Sequence, residues 1–504
     1  MIVESDLAFD RKLLRHIGPS DFGRKVRSHS FWRVIDSNSI ESEDGVFCFD
    51  ELYKLLDKFL ETDAIVSDIN SILYKMMQEA FAVDGIITER AIKCKDITVI
   101  MSSKDRTFYS LRYGNIWGSV WIWDDILTPV GLRENVKGII DGFCDAGWSI
   151  SRVSPPAKMF EELLLDKSSY RDFPDIVSGA IDEKVAIRAW NCFRGGRMEA
   201  ARLGSCKNVF DYDLNTAYFS VLRNLPSLRF VEWVDTNKYV KEAFFGYCRC
   251  EVDVADSAPI GLCAVRLKSG KKPMRQYFTV DLSTCWRTKS EIDLLNNSGW
   301  AKVNILEGSW GVQKDNAPLA FAYVSRILER ALADKRCYNM AKVMCSVCWG
   351  KMASVSSSLF NPVYASYITS EVRSRVTELA LGLEKSLIAI AVDGISLFKE
   401  LPRHMISTEI GALKEKKIDN LISLTDYYRY NFAEPSKSWR VENDGIALNA
   451  LPVKIPFGSS KRVSPKDLSF EMLRNEQFLL RPPTSQDAVE LYFTTKDMVP
   501  WDVV

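Results

Sequence analysis

The chain has 504 residues, 47% of them hydrophobic and 26% charged, the balance of a globular protein with a large core and about two to four domains. Lysine plus arginine and aspartate plus glutamate both number 66, which excludes a uniform basic coat but leaves room for a local basic groove. Twelve irregularly spaced cysteines, a single Cys345-x-x-Cys348 pair and three histidines argue against a structural metal site and fit free thiols in a reducing cytoplasm.

The opening residues, MIVESDLAFDRKLLRH, lack a basic-then-apolar leader pattern, and no apolar run is long enough to span a bilayer. A cytoplasmic location without a membrane partner is therefore expected. In the first third, SFWRVIDS, ITVIMSS and TFYSLRY alternate like strands, whereas DELYKLLDKFLE and INSILYKMMQEAF have helical periodicity. A turn-like VSPPAK and a polar DKSSYRDFP follow, then FRGGRMEAARLG, which reads as a glycine hinge. Residues 228–310 are strand-rich, with FGYCRCEVDV, GLCAVRL and RQYFTVDL. From Asn316 to Ala353 the pattern predicts one long helix or a helix pair, since no Pro or Gly falls between Pro318 and Gly350. SLIAIAV reads as a buried strand, and the last hundred residues alternate basic clusters, turns and aromatics, with a loop at LRPPTSQDA.

Four stretches carry candidate chemistry. In FDYDLNTAYFS, Phe210–Ser220, a strand is followed by a turn and a helix, with Asp213 at the strand end. KVMCSVCWGKMA begins at Lys342, which lies seven residues after Lys335 and would share a helix face with it, continued by Ser346 and Trp349. Two cations, a small hydroxyl and a flat ring suit a nucleoside triphosphate, although a solvated helix with a core tryptophan has the same pattern. In IAIAVDGISLF, Asp393 and Gly394 interrupt an apolar strand. A carboxylate there is either an Asp-Gly hairpin turn or a metal ligand. In FRGG, Gly195 and Gly196 allow close backbone approach and Arg194 and Arg197 bring charge, or the segment is a linker. Two aspartates on neighbouring strands can hold two magnesium ions, the arrangement that activates an attacking oxygen and stabilises a leaving one.

Together these motifs resemble family B DNA polymerases, nearest to the protein-primed branch of small phages and linear plasmids. DLNTAYFS is similar to the first polymerase motif, an Asp followed five residues later by Tyr. The resemblance implies Asp213 as a metal ligand, Tyr218 as the residue that packs under the sugar and excludes a 2′-hydroxyl, and Asp211 as a structural neighbour. KVMCSVCWGKMA resembles the second motif, with Lys342 as the triphosphate lysine, Ser346 in place of Asn and Trp349 in place of Tyr. AVDGIS resembles the third, Asp-Thr-Asp-Ser, with Asp393 at its second aspartate and Ala391 at its first. The other register, with Ile395 at the ligand position, is less favoured. FRGG is similar to the Tyr-x-Gly-Gly link that touches template, which implies Arg194, Gly195 and Gly196 as DNA contacts. TSEVR is similar to a primer-contacting element, which implies Thr369 and Arg373. The motifs cover residues 185 to 400. From Gly350 to Asp393 there are 43 positions, too few for the insertion that encircles DNA in protein-primed relatives, whereas CWRTKSEIDLLNN fits a retained first insertion.

The resemblance implies an α+β right hand of palm, fingers and thumb with an N-terminal RNase H-like exonuclease-type domain. The expected domains are 1–185 for the exonuclease-like part, 186–400 for palm and fingers and 401–504 for the thumb. Proofreading acids are not evident. Asp36 is followed by Asn38 where Glu is expected, Asp68 has no second acid, and Glu134 and Asn135 lack a preceding tyrosine, so a degenerate domain is expected unless another register supplies the acids. In the tail, DYYRY is the nearest match to a Lys-x-Tyr signature, which points to Tyr427 and Arg429.

The reading is a DNA-directed DNA polymerase. Asp213 and Asp393 bind two Mg2+ ions, Lys342 with Lys335 or Arg330 holds the triphosphate, and Tyr218 selects deoxyribose. Its partners are primer-template DNA, deoxynucleoside triphosphates and a terminal protein primer. The alternatives are a catalytically reduced nucleic-acid-binding subunit and an unrelated two-metal phosphodiesterase.

Overall fold

The three alternating stretches SFWRVIDS, ITVIMSS and TFYSLRY form strands, and six further strands that the sequence pattern did not single out accompany them. The nine are β1 (His29–Val34), β2 (Ser39–Ser42), β3 (Gly45–Cys48), β4 (Asp63–Val66), β5 (Ile86–Ile87), β6 (Ala91–Cys94), β7 (Ile97–Met101), β8 (Phe108–Tyr113) and β9 (Ile116–Ile122). The computed structural model describes residues 29–35, 39–42, 44–48, 63–66, 86–87, 91–94, 97–101, 108–113, 116–122, 129–166, 181–207, 209–267, 275–280, 283–355, 357, 359–417, 420–423, 430–432, 439–442, 445–448, 462–463, 478–480 and 484–486. The expected helices DELYKLLDKFLE and INSILYKMMQEAF, and Asp36, Asn38, Asp68, Tyr427 and Arg429, lie outside the described residues.

The nine strands make one sheet in the order β3-β2-β1-β4-β9-β8-β7-β6-β5, parallel where β4 meets β1 and β9. After it come helices α1 (Pro129–Ala146) and α2 (Pro156–Leu164). Leu132, Val136, Ile139, Phe143 and Ala146 give α1 one apolar stripe, which is buried. Glu134 and Asn135, the third candidate proofreading pair, are exposed on this helix.

The chain continues through α3 (Glu183–Cys192), β10 (Arg197–Ala200), β11 (Arg202–Lys207), β12 (Phe210–Leu214), α4 (Ala217–Leu222), β13 (Val231–Asp235) and β14 (Ala243–Val254). Next come β15 (Cys263–Leu267), β16 (Arg275–Thr279), β17 (Ser283–Thr288), α5 (Lys289–Ser298), β18 (Ala301–Gln313), α6 (Ala322–Ala333) and α7 (Tyr338–Ala353). Then follow α8 (Pro362–Gly382), β19 (Leu387–Val392), β20 (Gly394–Leu397), β21 (Leu413–Lys417), β22 (Asn420–Ser423) and β23 (Tyr430–Phe432). No described helix is long and apolar enough to cross a membrane.

The described chain divides into two compact units. One takes Ile17–Asp166 and Tyr323–Met344; the other takes Lys167–Ala322 and Cys345–Met498. Within the first, the sequence-distant α6–α7 segment is held by close approach. A Cβ on Gly142 would stand 2.8 Å from Cys337 Sγ, and Arg336 pairs with Asp145 at 2.6 Å.

The stretch after Asn316 is a helix pair rather than one helix. Asp334 explains the break. Its carboxylate accepts the backbone N–H of Arg336 at 2.9 Å, a local turn bond that competes with the helical ladder. Lys335 therefore sits in the turn between α6 and α7 and does not share a helix face with Lys342, which corrects the sequence expectation.

In the second unit, β13-β18-β14-β17 form an antiparallel sheet whose core packs Ala243, Cys248 and Trp310 against Ile292 of α5. A second antiparallel sheet runs β10-β19-β20-β12-β21. Helix α8 packs against α3, α4, α5 and β19. It is buried nearly all round despite its many hydroxyls, because most of them bond to its own backbone, as Thr369 Oγ1 does to Ala365 O at 2.9 Å.

Candidate active site

Alternation along β12 puts Asp211 and Asp213 on one face and Tyr212 on the other. Across the ladder to β20, Asp211 stands opposite Ser396 and Asp213 opposite Gly394. Asp211 is buried and accepts Ser396 Oγ at 2.6 Å, so its carboxylate is used inside the sheet. Tyr212 is fully buried, and its hydroxyl accepts the Leu401 N–H at 2.9 Å. Asp213 is half-exposed.

Gly394 explains where the Asp213 carboxylate lies. A Cβ at position 394 would meet Asp213 Oδ1 at 2.3 Å, so the carboxylate occupies the space that a side chain would fill. The hairpin turn itself is not Asp-Gly. Ala391 pairs with Gly394, which leaves Val392 and Asp393 as the two turn residues and makes Gly394 the first residue of β20. Val392 takes φ +58°, a strained conformation for a β-branched residue. It is packed against Gly196, where an added Cβ would come within 2.6 Å of Val392 Cγ1. The Leu214 N–H donates to Asp393 O at 2.8 Å and ties the hairpin tip to the end of β12. Asp213 and Asp393, 180 positions apart in the chain, are thus brought to adjacent points of one sheet.

Helix α4 begins just after Asp213 and carries Tyr218, which is 7% exposed. Burial first, and then the Asp393 charge, push the Tyr218 hydroxyl well above the usual phenol range. Its Oη has no hydrogen-bond partner. The Tyr218 ring lies 5.4 Å from Trp349, Trp349 lies 6.1 Å from Phe193, and Phe193 stacks on Trp190 at 5.3 Å with planes 4° apart. Residues from the first motif, the second motif and the FRGG segment therefore meet in one aromatic row.

The FRGG backbone is held from beneath. Arg373 is 2% exposed and donates to the carbonyls of Arg194 and Gly195 at 3.2 and 2.8 Å, while pairing with Glu291 at 2.7 Å. Burial would raise the Glu291 carboxyl, but Arg373, Arg287 and Arg194 outweigh it and hold the group down at about 2. Arg194 is itself buried and donates to Cys192 O at 3.1 Å, at the C-terminal end of α3. Thr369 is fully buried. As placed, Arg194, Thr369 and Arg373 are buried, with Arg373 bonding the loop carbonyls and Thr369 bonding its own helix, while Gly195 is exposed and Gly196 half-buried.

Ser346 and Lys342 are exposed on α7, and Trp349 is half-buried on it. Arg330 and Lys335 are exposed in the first unit, where Arg330 reaches Ala146 O at 3.5 Å. Cys345 and Cys348 are buried and are not disulfide-bonded. Sequence reasoning missed three residues: Gly394 as the seat of Asp213, Glu291 as the partner of Arg373, and exposed Lys414, the β21 neighbour of Asp213. Only Glu291 had a signal, the Thr288-x-x-Glu291 capping box that starts α5. Among the described residues, no group of three or more His, Cys, Asp or Glu side chains is placed to hold a metal ion.

No protein-family model matches the chain, and no curated protein sequence matches it. The chain is similar in structure to phi29 DNA polymerase complexed with single-stranded DNA, with TM-score 0.49 and 12% identity over 88% of this chain and 95% of that one. It is also similar to the phi29 DNA polymerase ternary complex with primer-template DNA and incoming nucleotide substrates, with TM-score 0.48 and 12% identity over 89% and 95%. A family B DNA polymerase from the hyperthermophilic archaeon Pyrobaculum calidifontis gives TM-score 0.36 and 10% identity over 82% and 57%. At TM-scores below 0.5 these similarities assign neither family nor activity, and the site's own geometry has to carry the functional reading.

Proposed function

We propose that the chain is a DNA-templated DNA polymerase that extends a primer 3′-OH with deoxynucleotides, with palm, fingers and thumb parts and an exonuclease-like N-terminal domain. The observation that carries this reading is the meeting of Asp213 and Asp393 at one end of the β12–β20 strands, with Tyr218 of the first motif beside Asp393 and Trp349 of the second against the Tyr218 ring.

The donor set fits magnesium. Both groups are half-exposed carboxylates, hard oxygen ligands, and Gly394 leaves one of them a seat that any larger residue would fill. Asp213 and Asp393 would hold the metal, two ions in this reading, and it would activate the attacking hydroxyl and neutralise charge on the leaving oxygen. The protein's own part is positioning. The β12–β20 ladder sets Asp213 opposite Gly394, and the Leu214–Asp393 backbone bond ties the turn that carries Asp393 to the end of β12. The buried Tyr218 ring forms a wall beside Asp393 where a 2′-hydroxyl would clash. Trp349 and Ser346 would face the base pair, and Lys342, earlier on the same helix, would take the triphosphate charge. The first acceptor is a primer hydroxyl or a hydroxyl of a terminal protein.

The test is extension of a labelled primer on a short template with magnesium and four deoxynucleotides, wild type beside Asp213→Ala and Asp393→Ala. Extension that survives both substitutions sinks the reading. A second reading, a nucleic-acid-binding subunit without catalysis, is favoured by Ala391 standing where the third motif has its first aspartate. It requires tight primer-template binding, independent of magnesium, with no extension from either a DNA or a protein primer.

A further inference from the structure

Helix α8 carries five buried hydroxyl side chains within Ser366–Thr377. Four donate to a helix carbonyl three or four residues back: Ser366 to Pro362 at 2.6 Å, Thr369 to Ala365 at 2.9 Å, Ser370 to Tyr367 at 3.0 Å and Thr377 to Arg373 at 2.7 Å. Ser374 does not. It is 8% exposed, and its Oγ has no hydrogen-bond partner. Buried hydroxyls are normally satisfied, and this one had a helix carbonyl within reach.

Ser374 lines a cavity of about 320 Å³ between α5 and α8. Its two cations are already neutralised on their own helices, Lys289 by Asp293 at 2.6 Å and Arg375 by Glu371 at 3.0 Å. A third carboxylate, Glu378, lies one helical turn beyond Ser374 on the same face, exposed and outside those pairs. Phe244 and Tyr367, stacked at 5.2 Å, add two aromatic rings to the wall. Three carboxylates against two paired cations repel an anion. A carboxylate, a hydroxyl lone pair and aromatic faces together match a protonated nitrogen.

We propose that this cavity binds an alkylammonium or guanidinium group. The group comes either from a free polyamine or from a lysine or arginine side chain of a protein partner. The site is separate from the carboxylate pair and does not depend on the polymerase reading.

Calorimetric titration of the full chain at low salt tests this, with spermidine and a short lysine-rich peptide as probes and inorganic phosphate as the anionic control. Saturable one-to-one amine binding is expected, weakened about tenfold or more by Glu378→Gln and by Ser374→Ala, with no phosphate binding. The tighter of the two probes identifies the source of the group. Phosphate binding without amine binding overturns the proposal, as does amine binding that neither substitution weakens, or no saturable amine binding. Melting temperatures keep the test fair. Ser374→Ala removes a hydroxyl with no internal bond and should leave the melting temperature unchanged or raised. A fall of about 4 °C or more would show that the hydroxyl serves the fold, and would remove the argument for a ligand.

Discussion

The carboxylate of Asp213 rests against the Cα of Gly394, its cross-strand partner, so closely that a methyl group there would stand 2.3 Å from Oδ1. The glycine beside Asp393 is therefore not a turn residue. Its missing side chain is the space in which the other carboxylate sits. Gly394→Ala should move Asp213 and leave the sheet ladder intact. A misplacement of about 1 Å in a reacting group lowers rate on the order of a hundredfold. Primer extension should fall by about that factor while far-ultraviolet circular dichroism stays unchanged; unchanged extension would mean that Asp213 is not in the reacting set.

Arg373 gives a second test, of structure against contact. It is buried, paired with Glu291, and holds two FRGG carbonyls. Removing one partner of such a pair leaves an uncompensated buried charge and costs about 3–5 kcal/mol. Arg373→Ala should therefore lower unfolding free energy by that order in a urea titration. If it instead weakened only DNA binding, with stability intact, the inward placement would be wrong.

Glu291 sets the acid response of the same network. Its folded-state carboxyl is held at about 2, below the value of about 4.3 for a free glutamate. A depressed folded pKa gives stability that is present above about 4.3 and is lost as pH falls from there toward 2. Thermal unfolding measured from pH 6 down to pH 3 should show a loss that is smaller in Glu291→Gln, whose side chain cannot titrate. Parallel curves for the two proteins would remove Glu291 from the account.

Tyr218 separates ring from hydroxyl. The hydroxyl is buried and makes no hydrogen bond, so Tyr218→Phe should be neutral or stabilising by up to about 1 kcal/mol and should leave deoxynucleotide addition unchanged. Tyr218→Ala removes the ring beside Asp393 and Trp349. On the polymerase reading it should raise ribonucleotide incorporation relative to deoxynucleotide by about tenfold or more, the effect of losing one steric contact on the order of 1.4 kcal/mol. Gel analysis of extension with each nucleotide type reads this directly, and an unchanged ratio would deny Tyr218 its role.

The local order of strand, turn and helix around Asp213, the buried strand at Leu387–Val392 and three strands of the first third, β1, β7 and β8, were legible in the sequence. These follow from alternation and periodicity, which act between near neighbours and are written residue by residue. The helix pair at Ala322–Ala353 was legible only as one of two options, because the Asp334 side-chain bond that breaks it depends on how the chain turns. Which aspartates meet, which arginines face inward and which glycine serves a neighbour's carboxylate were decided by tertiary structure alone. Arg373 reads as a surface contact in sequence. It is buried only because α5 brings Glu291 to it and the FRGG loop offers it carbonyls. Register has the same character. Setting Asp213 opposite Gly394, and Asp211 opposite Ser396, requires two strands far apart in the chain to pair at one particular offset, and nothing short of the folded sheet specifies that offset.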